Sequence, residues 1–431
     1  MLVGAGKSLC YQLPACLSAG VTVVISPLKA LNLEQIKELT KLGIKAWTPS
    51  DDKSERVQNR FYKELIEEDP KIKLLYVTPE KMRKTSWLIK ALKSLKERKC
   101  LTCFVIDEAQ CIIEVGYDFR SDYGTLNELL NEFRGVPIMA VSGPIGPGIQ
   151  EDNLNQLQMT KDQVFTMPFN RLNLKYAVQE RKTISGEKDC FTWINEHCLN
   201  ESGIVYCWRK VDCDNMARSL NKAGLKASSY HSDVTDEDRE IAQNKWNENK
   251  CQVICATSGA FGMGINKPDV RYVIHSFLPD SMERYHRETG RAGRDGNVSH
   301  CILFYSDRDE GLLQQAIMGT TCKAISSDIS NDISISKEIS KAIRSPNSCI
   351  NSSAISRAIN SAFLKGKGSK DRKFRNLGTM MKFCGTQQDC RKKQLLTYFG
   401  GVNIEANVCQ PNSEAICDNC ERANAAAAAT V

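Results

Sequence analysis

The sequence predicts an α/β protein with two lobes, each a parallel sheet flanked by helices, followed by a small helical zinc-binding module. Three observations lead to this prediction: two consecutive series of short apolar runs, helical stretches between those runs, and four cysteines near the C-terminus that are spaced like metal ligands. Apolar strands of four to eight residues that alternate with helices are typical of parallel sheets covered on both faces.

Short β-branched runs mark the expected strands. The runs of the first lobe cover residues 21–28, 72–80, 103–110 and 136–143. Those of the second lobe cover residues 202–207, 251–257, 270–277 and 300–305. The stretches between them are long enough for the helices that connect parallel strands. The expected domains are residues 1–166 and 167–318 for the lobes, 376–423 for the zinc-binding module and 424–431 for a tail.

Residues 319–375 differ in composition from both lobes, because Ser and Ile dominate much of this segment. Isoleucines spaced by four would form one apolar stripe on a helix. The serine content and the near-repetition are equally typical of a poorly ordered insert. Both interpretations, a helical segment and an insert, stay open at this point.

The overall composition is that of an ordinary soluble protein. Among the 431 residues 42% are hydrophobic and 25% are charged, and no apolar run approaches the roughly 20 residues that span a bilayer. No stretch has the features of a signal peptide, so we expect no membrane partner. Most of the 19 cysteines lie in apolar runs, as Cys207 and Cys255 do, which favours buried thiols in a reducing compartment over a disulfide framework.

Positive charge is concentrated near the zinc-binding module. Residues 365–393 contain ten Lys or Arg against Asp371 and Asp389, within a chain whose net charge is +7. A solvated loop, a surface that contacts a phosphate backbone and a nuclear import signal are all compatible with such a run.

The chain begins with MLVGAGKS, in which Gly4, Gly6, Lys7 and Ser8 match the closing half of a phosphate-binding loop. In such a loop backbone N–H groups surround the terminal phosphates at the start of a helix. Lys7 would neutralise phosphate charge, and the Ser8 hydroxyl would ligate Mg²⁺. The motif also occurs by chance in loops without a ligand, so its interpretation depends on other elements.

Asp107 and Glu108 end an expected strand, at the edge where ligands of open α/β sheets bind. Asp107 would hold Mg²⁺ through water, and Glu108 would orient or deprotonate the water that attacks a phosphoanhydride. Acidic residues at this position can also be simple turn formers. The phosphate loop upstream favours the catalytic interpretation.

Arg291 and Arg294 lie in the stretch ETGRAGRDG of the second lobe. Residues three apart share one face of a helix, so both guanidinium groups could point towards a γ-phosphate and stabilise transition-state charge as arginine fingers. Two arginines beside glycines are more often surface residues when they occur alone. Together with the two acidic residues and the phosphate loop, they favour a triphosphatase.

Four cysteines near the C-terminus follow the pattern C-x₁₈-C-x₇-C-x₂-C, at Cys390, Cys409, Cys417 and Cys420. The final C-x-x-C pair can bind one ion while the two distant thiolates complete a tetrahedron. The spacing therefore predicts a structural Zn²⁺ site.

The motifs GKSLCYQLPA, VTVVISPLKAL, IKLLYVTPEK, FVIDEAQC, GYDFRSDY, FNRLNLKY, AFGMGINKPDVRYVIHSFLP and ETGRAGRDG occur in this order. In sequence and order they resemble the RecQ family of DNA helicases. The resemblance covers nearly the whole chain except residues 320–375, and it includes CRKKQLLTYFG beside the zinc cysteines.

The resemblance implies two RecA-like lobes that couple ATP hydrolysis to 3′ to 5′ movement along single-stranded DNA. It implies the cofactors ATP, Mg²⁺ and Zn²⁺, single-stranded and duplex DNA as partners together with repair or recombination proteins, and a nuclear location. The residues that it assigns to catalysis are Lys7, Asp107, Glu108, Arg291 and Arg294. Those that it places at the nucleotide are Gly4, Gly6, Lys7, Ser8, Gln110 and Arg287.

Several positions depart from the family's pattern. They are Gln110 for His, Val115 and Tyr117 for Trp and His, Asn266 for Asp, Arg287 for Gln, and residues 140–148 for a Thr-Ala-Thr-Ala turn. The family also has a strand before the phosphate loop and a winged helix after the zinc cysteines, so we expect a truncated product or an incomplete gene model. A non-catalytic nucleic-acid-binding protein with a degraded motor is therefore the alternative to a helicase.

Overall fold

The structure is a computed structural model that describes residues 6–27, 29–49, 55–110, 131–159, 164–167, 170–183, 185–262, 265, 267–318, 369–400, 408–409 and 413–428. The chain consists of two compact units, Met1–Phe169 and Asn170–Val431. The zinc-binding module belongs to the second unit. Within the described ranges, no helix is both long enough and apolar enough to cross a membrane.

The first unit contains a parallel sheet. Its strands are β1 (Val21–Ile25), β2 (Ala46–Trp47), β3 (Leu74–Val77), β4 (Leu101–Ile106) and β5 (Ile138–Ala140), in the order β2-β3-β1-β4-β5. Its helices are α1 (Leu9–Leu17), α2 (Lys29–Lys41), α3 (Glu55–Ile66), α4 (Pro79–Lys84), α5 (Ser86–Glu97) and α6 (Pro147–Gln156). The four predicted strands are confirmed, three of them with shorter ends, while β4 begins two residues earlier and ends four residues earlier than predicted, and β2 is an additional strand of two residues.

Helices cover both faces of this sheet because its strands are apolar on both sides. Val23 packs in one core with Leu65 and Leu92 of α3 and α5, and its neighbour Val24 packs in another with Tyr11 of α1 and Leu39 of α2. Successive side chains of a strand point to opposite faces. The unbroken apolar runs of the sequence are explained by this double coverage.

The second unit contains a parallel sheet as well. Its strands are β6 (Leu174–Glu180), β7 (Ser202–Cys207), β8 (Ala227–Tyr230), β9 (Val253–Thr257), β10 (Val270–His275) and β11 (Ser299–Tyr305), in the order β6-β11-β10-β7-β9-β8. Its helices are α7 (Glu187–His197), α8 (Lys210–Lys222), α9 (Asp236–Asn247), α10 (Met282–Thr289) and α11 (Asp307–Met318). Those of the module are α12 (Ser369–Gly385), α13 (Arg391–Tyr398) and α14 (Asp418–Ala428).

The four strands predicted for the second lobe are confirmed, whereas the edge strands β6 and β8 were not predicted. Strand β8 has the sequence Ala-Ser-Ser-Tyr and is half-buried throughout, so it lacks the apolar run that marks a central strand. Its pairing with β9 in the sheet defines it instead.

The basic run at residues 365–393 is not one solvated loop. Helix α12 occupies much of it, and the side chains of Arg391 and Lys392 are only 1% and 3% exposed. Helix α12 also begins at Ser369, so the last residues of the expected segment 319–375 are helical and continue into the module. The choice between helix and insert for residues 319–368 lies outside the described residues.

Candidate functional site

The phosphate-loop residues of the first unit lead into helix α1. Gly6 has a φ of +79°, which favours glycine, and open space surrounds the position that a Cβ would take. Ser8 is the N-cap residue, and the backbone N–H of Gln12 donates to its carbonyl at 2.9 Å. Gly4 lies outside the described residues. The predicted arrangement of glycine, lysine and serine at a helix N-terminus is therefore present from Gly6 onwards.

Lys7 meets the acidic residues at the end of β4. Its Nζ lies 2.6 Å from Glu108 Oε1, and the two side chains are 13% and 18% exposed. Glu108 has a φ of +51°, so the chain turns sharply directly after the strand. The backbone N–H of Glu108 donates to Asp107 Oδ1 at 2.9 Å. The fold thus brings together groups that are about a hundred residues apart in sequence.

Asp107 is buried beside this ion pair. Burial raises the pKa of its carboxyl group, and the charge of Glu108 raises it further, while Lys7 acts in the opposite direction. The hydroxyl of Tyr11 donates to Asp107 Oδ2 at 3.2 Å. A buried carboxylate with so few compensating charges suits a divalent cation, so the residues present fit the expected Mg²⁺. Sequence reasoning missed Tyr11, although it lies one helical turn after Ser8.

Gln110 connects Glu108 to the turn that follows β5. Its Nε2 donates to Glu108 Oε2, and its Oε1 accepts from Ser142 Oγ at 2.8 Å and from the backbone N–H of Gly143 at 3.2 Å. Gln110 is 2% exposed. The amide therefore couples the position of residues 142–143 to the candidate catalytic carboxylate, in the part of the sequence that departs from the family's turn.

Arg291 and Arg294 do not share a helical face, so that prediction is wrong. Helix α10 ends at Thr289, and both arginines lie in the turns that follow, where Gly293 has a φ of +56°. Gly290 is the C-cap residue of α10, and Gly296 has a φ of +86°, so both Gly293 and Gly296 adopt a backbone conformation that glycine favours and that does not continue an α-helix. Arg287 lies on α10 itself and is half-buried.

Both arginines hold the loop that follows β9. Arg291 Nη1 donates to the carbonyl of Gly262, and Arg294 Nη1 donates to that of Ile265. A Cβ at residue 262 would lie 2.2 Å from Arg291 Nη2, so a larger residue there would displace the guanidinium group. In this structure the guanidinium groups support a loop of their own unit.

A buried carboxylate fixes the start of the same loop. Glu288 accepts from Ser258 Oγ, and its Oε2 lies 2.8 Å from His275 Nε2. Burial tends to raise the pKa of Glu288, but its hydrogen bond and charge interaction with His275 hold that pKa below the usual value. This group of three residues was not singled out from the sequence, although Glu288 lies in the stretch that contains the two arginines.

The four predicted zinc ligands come together in the second unit. Their sulfur atoms, those of Cys390, Cys409, Cys417 and Cys420, all lie within 4.8 Å of one another. Cys390 Sγ lies 3.4 Å from Cys409 Sγ and 3.9 Å from Cys417 Sγ. With Zn–S distances of about 2.3 Å, a tetrahedral site has sulfurs roughly 3.8 Å apart, so the cluster fits Zn²⁺.

Within the cluster the surroundings favour the thiolate of Cys417, whereas hydrogen bonds with Cys390 and Cys417, together with burial, raise the pKa of Cys409. Hydrogen bonds from Cys390 and Cys409 hold the pKa of Cys417 well below its usual range, and the backbone N–H of Arg391 donates to Cys417 Sγ at 3.4 Å. Arg391 also forms a buried ion pair with Asp418, with a distance of 3.0 Å between Nε and Oδ1. The cluster is therefore embedded in a hydrogen-bonded shell of the kind that orients metal ligands.

The module is attached to the edge strand β6. Asp418 Oδ2 accepts from the backbone N–H of Val178 at 3.2 Å, Lys175 pairs with Glu421, and Lys392 Nζ donates to the carbonyl of Leu172 at 2.9 Å. These contacts satisfy a backbone group that a sheet edge would otherwise leave unpaired. The zinc-binding module and the second sheet form one continuous structure.

Three family profiles match the chain in succession. A DEAD/DEAH box helicase profile matches residues 1–148, a helicase conserved C-terminal domain profile matches residues 190–296, and a RecQ zinc-binding profile matches residues 351–421. The matches include Lys7, Asp107, Arg291 and the four cysteines.

Curated relatives are similar to nearly the whole of this chain. The RecQ-like DNA helicase BLM of Xenopus laevis is 45% identical over 97% of this chain, and RecQ-like DNA helicase blm-1 of Caenorhabditis elegans is 38% identical over 98%. The ATP-dependent DNA helicase hus2/rqh1 of Schizosaccharomyces pombe is 36% identical over 97%. This chain spans 28%, 38% and 28% of the lengths of these three relatives.

Solved helicase structures share the fold. The DUF1998 helicase MrfA bound to DNA and AMPPNP matches 72% of this chain and 46% of its own with a TM-score of 0.57 at 17% identity. Dbp5 of S. cerevisiae, bound to RNA and ADP BeF3, matches 73% and 81% with a TM-score of 0.54 at 16% identity. The fold has two RecA-like domains, and with the cysteine cluster and the three profiles it leads to one assignment: the chain belongs to the RecQ helicase family.

Proposed function

We propose that this chain is an ATP-dependent DNA helicase of the RecQ type, which moves 3′ to 5′ on single-stranded DNA and unwinds duplex and recombination structures. The observation that carries the proposal is the contact of 2.6 Å between Lys7 Nζ and Glu108 Oε1 beside the buried Asp107. A phosphate-binding ammonium, a metal-binding carboxylate and a candidate general base lie together, as triphosphate hydrolysis requires.

In the proposed mechanism Lys7 exchanges its partner. The ammonium leaves Glu108 Oε1 and contacts the phosphates of ATP, with Gly6 and Ser8 at the helix N-terminus beside it. Bound Mg²⁺, near Ser8 and Asp107, would neutralise phosphate charge. Glu108, still held by Gln110, then orients the attacking water and accepts its proton. Arg291 and Arg294 are proposed to stabilise the charge that develops on the γ-phosphate.

Gln110 gives the proposed site a connection to the rest of the unit. Ser142 and Gly143 hold its carbonyl oxygen, and its amide nitrogen holds Glu108. A shift of the turn at residues 142–143 would therefore move the carboxylate that handles the water. We propose that nucleotide state and DNA binding are coupled through this turn, in place of the family's Thr-Ala-Thr-Ala sequence.

Single-stranded and duplex DNA are the proposed substrates, the nucleus is the proposed location, and repair or recombination proteins are proposed partners. The support is the similarity to relatives that are named DNA helicases. Because a motor cannot depend on sequence, most contacts with the strand are expected at phosphates. Comparing strand displacement on 3′-tailed and 5′-tailed duplexes tests the direction, and only the 3′-tailed substrate should be unwound.

The deciding experiment measures phosphate release with and without a single-stranded oligonucleotide. We expect stimulation in the wild-type chain and a loss of about 10²-fold or more in Lys7→Ala, because the variant loses the phosphate-binding ammonium. Lys41→Ala is the matched control, since Lys41 is an exposed lysine of the same unit that pairs only with Glu38 in α2 among the described contacts.

The alternative is a non-catalytic nucleic-acid-binding protein. It predicts oligonucleotide binding without phosphate release, and equal DNA affinity for the wild-type chain and Lys7→Ala. Absence of DNA-stimulated turnover in the wild-type chain, with DNA binding intact, would exclude the helicase.

A further inference from the structure

A strongly basic groove lies along the outer edge of the first sheet, beside β2. Its volume is about 860 Å³. Its lining residues are Lys45, Arg56, Asn59, Arg60, Lys63, Glu64, Glu67 and Lys71. Five of these eight residues are cationic and two are acidic, so the groove favours an anionic ligand.

Three of the five cations of the groove are available for a ligand, because Lys71 pairs with Asp69 at 2.6 Å and Lys45 is paired as well. In the described part of the chain Arg56, Arg60 and Lys63 are exposed and have no carboxylate partner, whereas Lys45 pairs with Glu64. These three residues are spaced by four and three on α3, so they lie on one face of the helix. With a rise of 1.5 Å per residue they form a row about 10 Å long.

The groove is separate from the candidate nucleotide site. It lies beside β2, which two strands, β3 and β1, separate from β4 and Asp107. Strand spacings of about 4.8 Å place β2 and β4 roughly 14 Å apart. Lys45 and Lys71 precede their strands whereas Asp107 follows its strand, so these two lysines lie at the opposite end of the parallel sheet. ATP bound at Lys7 therefore leaves the groove open.

The lining residues indicate the class of ligand. None of the eight is aromatic or aliphatic, so the groove offers neither a stacking platform for the bases of a single strand nor an apolar anchor for a peptide. Each strand of duplex DNA presents one phosphate per 3.4 Å of helix axis. A row of about 10 Å that lies along the axis thus spans about three such intervals of one strand.

We propose that this groove is an accessory site for the phosphate backbone of duplex DNA, distinct from the path of the translocated strand. This inference rests on the proposed helicase function in one respect, because that function identifies the anionic ligand as DNA. The site holds double-stranded DNA through its backbone, because cations on flexible side chains contact phosphates and phosphate contacts carry no sequence information. The motor would then stay attached to duplex while its other contacts change.

The test compares two double variants with the same change in charge. Arg60→Glu with Lys63→Glu removes two cations of the groove, and Lys37→Glu with Lys41→Glu alters two exposed lysines of α2, which packs on the opposite face of the sheet. Binding of a blunt duplex of 20 base pairs is measured without nucleotide across a range of KCl concentrations.

The groove variant should bind the duplex on the order of tenfold more weakly at low salt. The slope of log affinity against log salt is negative, and its magnitude should decrease by about 1.8, since each lost phosphate contact removes about 0.9. The α2 variant should stay within twofold of the wild-type chain. Equal losses in the two variants, or none in the groove variant, would overturn the proposal. So would a polyglutamate peptide that binds the groove more tightly than the duplex does.

Phosphate release separates this proposal from the helicase assignment. At saturating single-stranded DNA the groove variant should hydrolyse ATP at the wild-type rate. If the wild-type chain releases no phosphate, and the groove variant but not the α2 variant loses duplex affinity, the helicase proposal is wrong and the duplex-binding groove is supported. If hydrolysis is normal and the two variants bind duplex equally, the groove fails and the helicase stands.

Discussion

The polar site of the first unit and the cysteine cluster of the second unit balance charge in different ways. Lys7 and Glu108 neutralise each other at 2.6 Å, so protein groups balance these two charges in the first site. The four cysteines carry sulfurs within 4.8 Å of one another, and thiolates this close repel unless a cation joins them. The first site can therefore balance its charges with protein groups, whereas the cysteine cluster needs a cation to do so.

The largest effect should come from removing a zinc ligand. Cys417→Ser should abolish binding of one Zn²⁺ per chain and unfold the module, because structural zinc contributes on the order of 10 kcal/mol to folding of small domains. Zinc content by atomic absorption and protease resistance of residues 369–428 are the measurements. Cys10→Ser, at an exposed cysteine of the first unit, is the control and should retain both. Full zinc content in Cys417→Ser would contradict the proposal that the four cysteines form the zinc site.

The second effect concerns the shell around the cluster. Arg391→Met leaves Asp418 buried without its main partner and should lower the free energy of unfolding by about 3–5 kcal/mol. Arg422→Met is the matched control, because Arg422 approaches the same carboxylate at 3.4 Å but is 52% exposed. Its loss should cost less than about 1 kcal/mol. Denaturant unfolding of the zinc-loaded variants checks the difference, and equal losses would contradict a buried supporting role for Arg391.

The smallest effect should appear where the module meets the second sheet. Burial, followed by Lys175 and His197, lowers the pKa of His300 to about 4, while Glu421 opposes this shift. Because the unfolded chain protonates near pH 6.5, the stability that neutral His300 contributes is present above pH 6.5 and is lost as the pH falls to about 4.

The free energy of unfolding of the wild-type chain falls as the pH drops from 7 to 4, and in His300→Gln it should fall by about 1–3 kcal/mol less. Thermal unfolding followed at several pH values measures this difference. The difference in stability between the two proteins at pH 8, where His300 is neutral, gives the part of the effect that does not depend on pH. A difference that does not change with pH would exclude His300 as the titrating group. Since His300 pairs with Lys175 of β6 in register, the result also reports on the edge to which the module is attached.

Local patterns predicted the parts of the fold that depend on local chemistry. The apolar runs located eight strands, and the spacing of the cysteines located the metal site, because each signal is complete within a short stretch of chain. Strand β8 and the two residues of β2 carry no such signal, since pairing with a neighbouring strand defines them. The helical placement of Arg291 and Arg294 was wrong because spacing by three says nothing once glycine ends the helix.

The sequence by itself determined the fold class, the family resemblance and the types of chemical group that the two sites contain. Only the tertiary structure decided which groups meet: Lys7 with Glu108, Gln110 with Ser142 and Gly143, and Asp418 with both Arg391 and the edge of β6. It also decided that Arg391 and Lys392, in the most basic stretch of the chain, are buried. The physical reason is that burial and ion pairing depend on distances between segments that the chain brings together only when both sheets have formed.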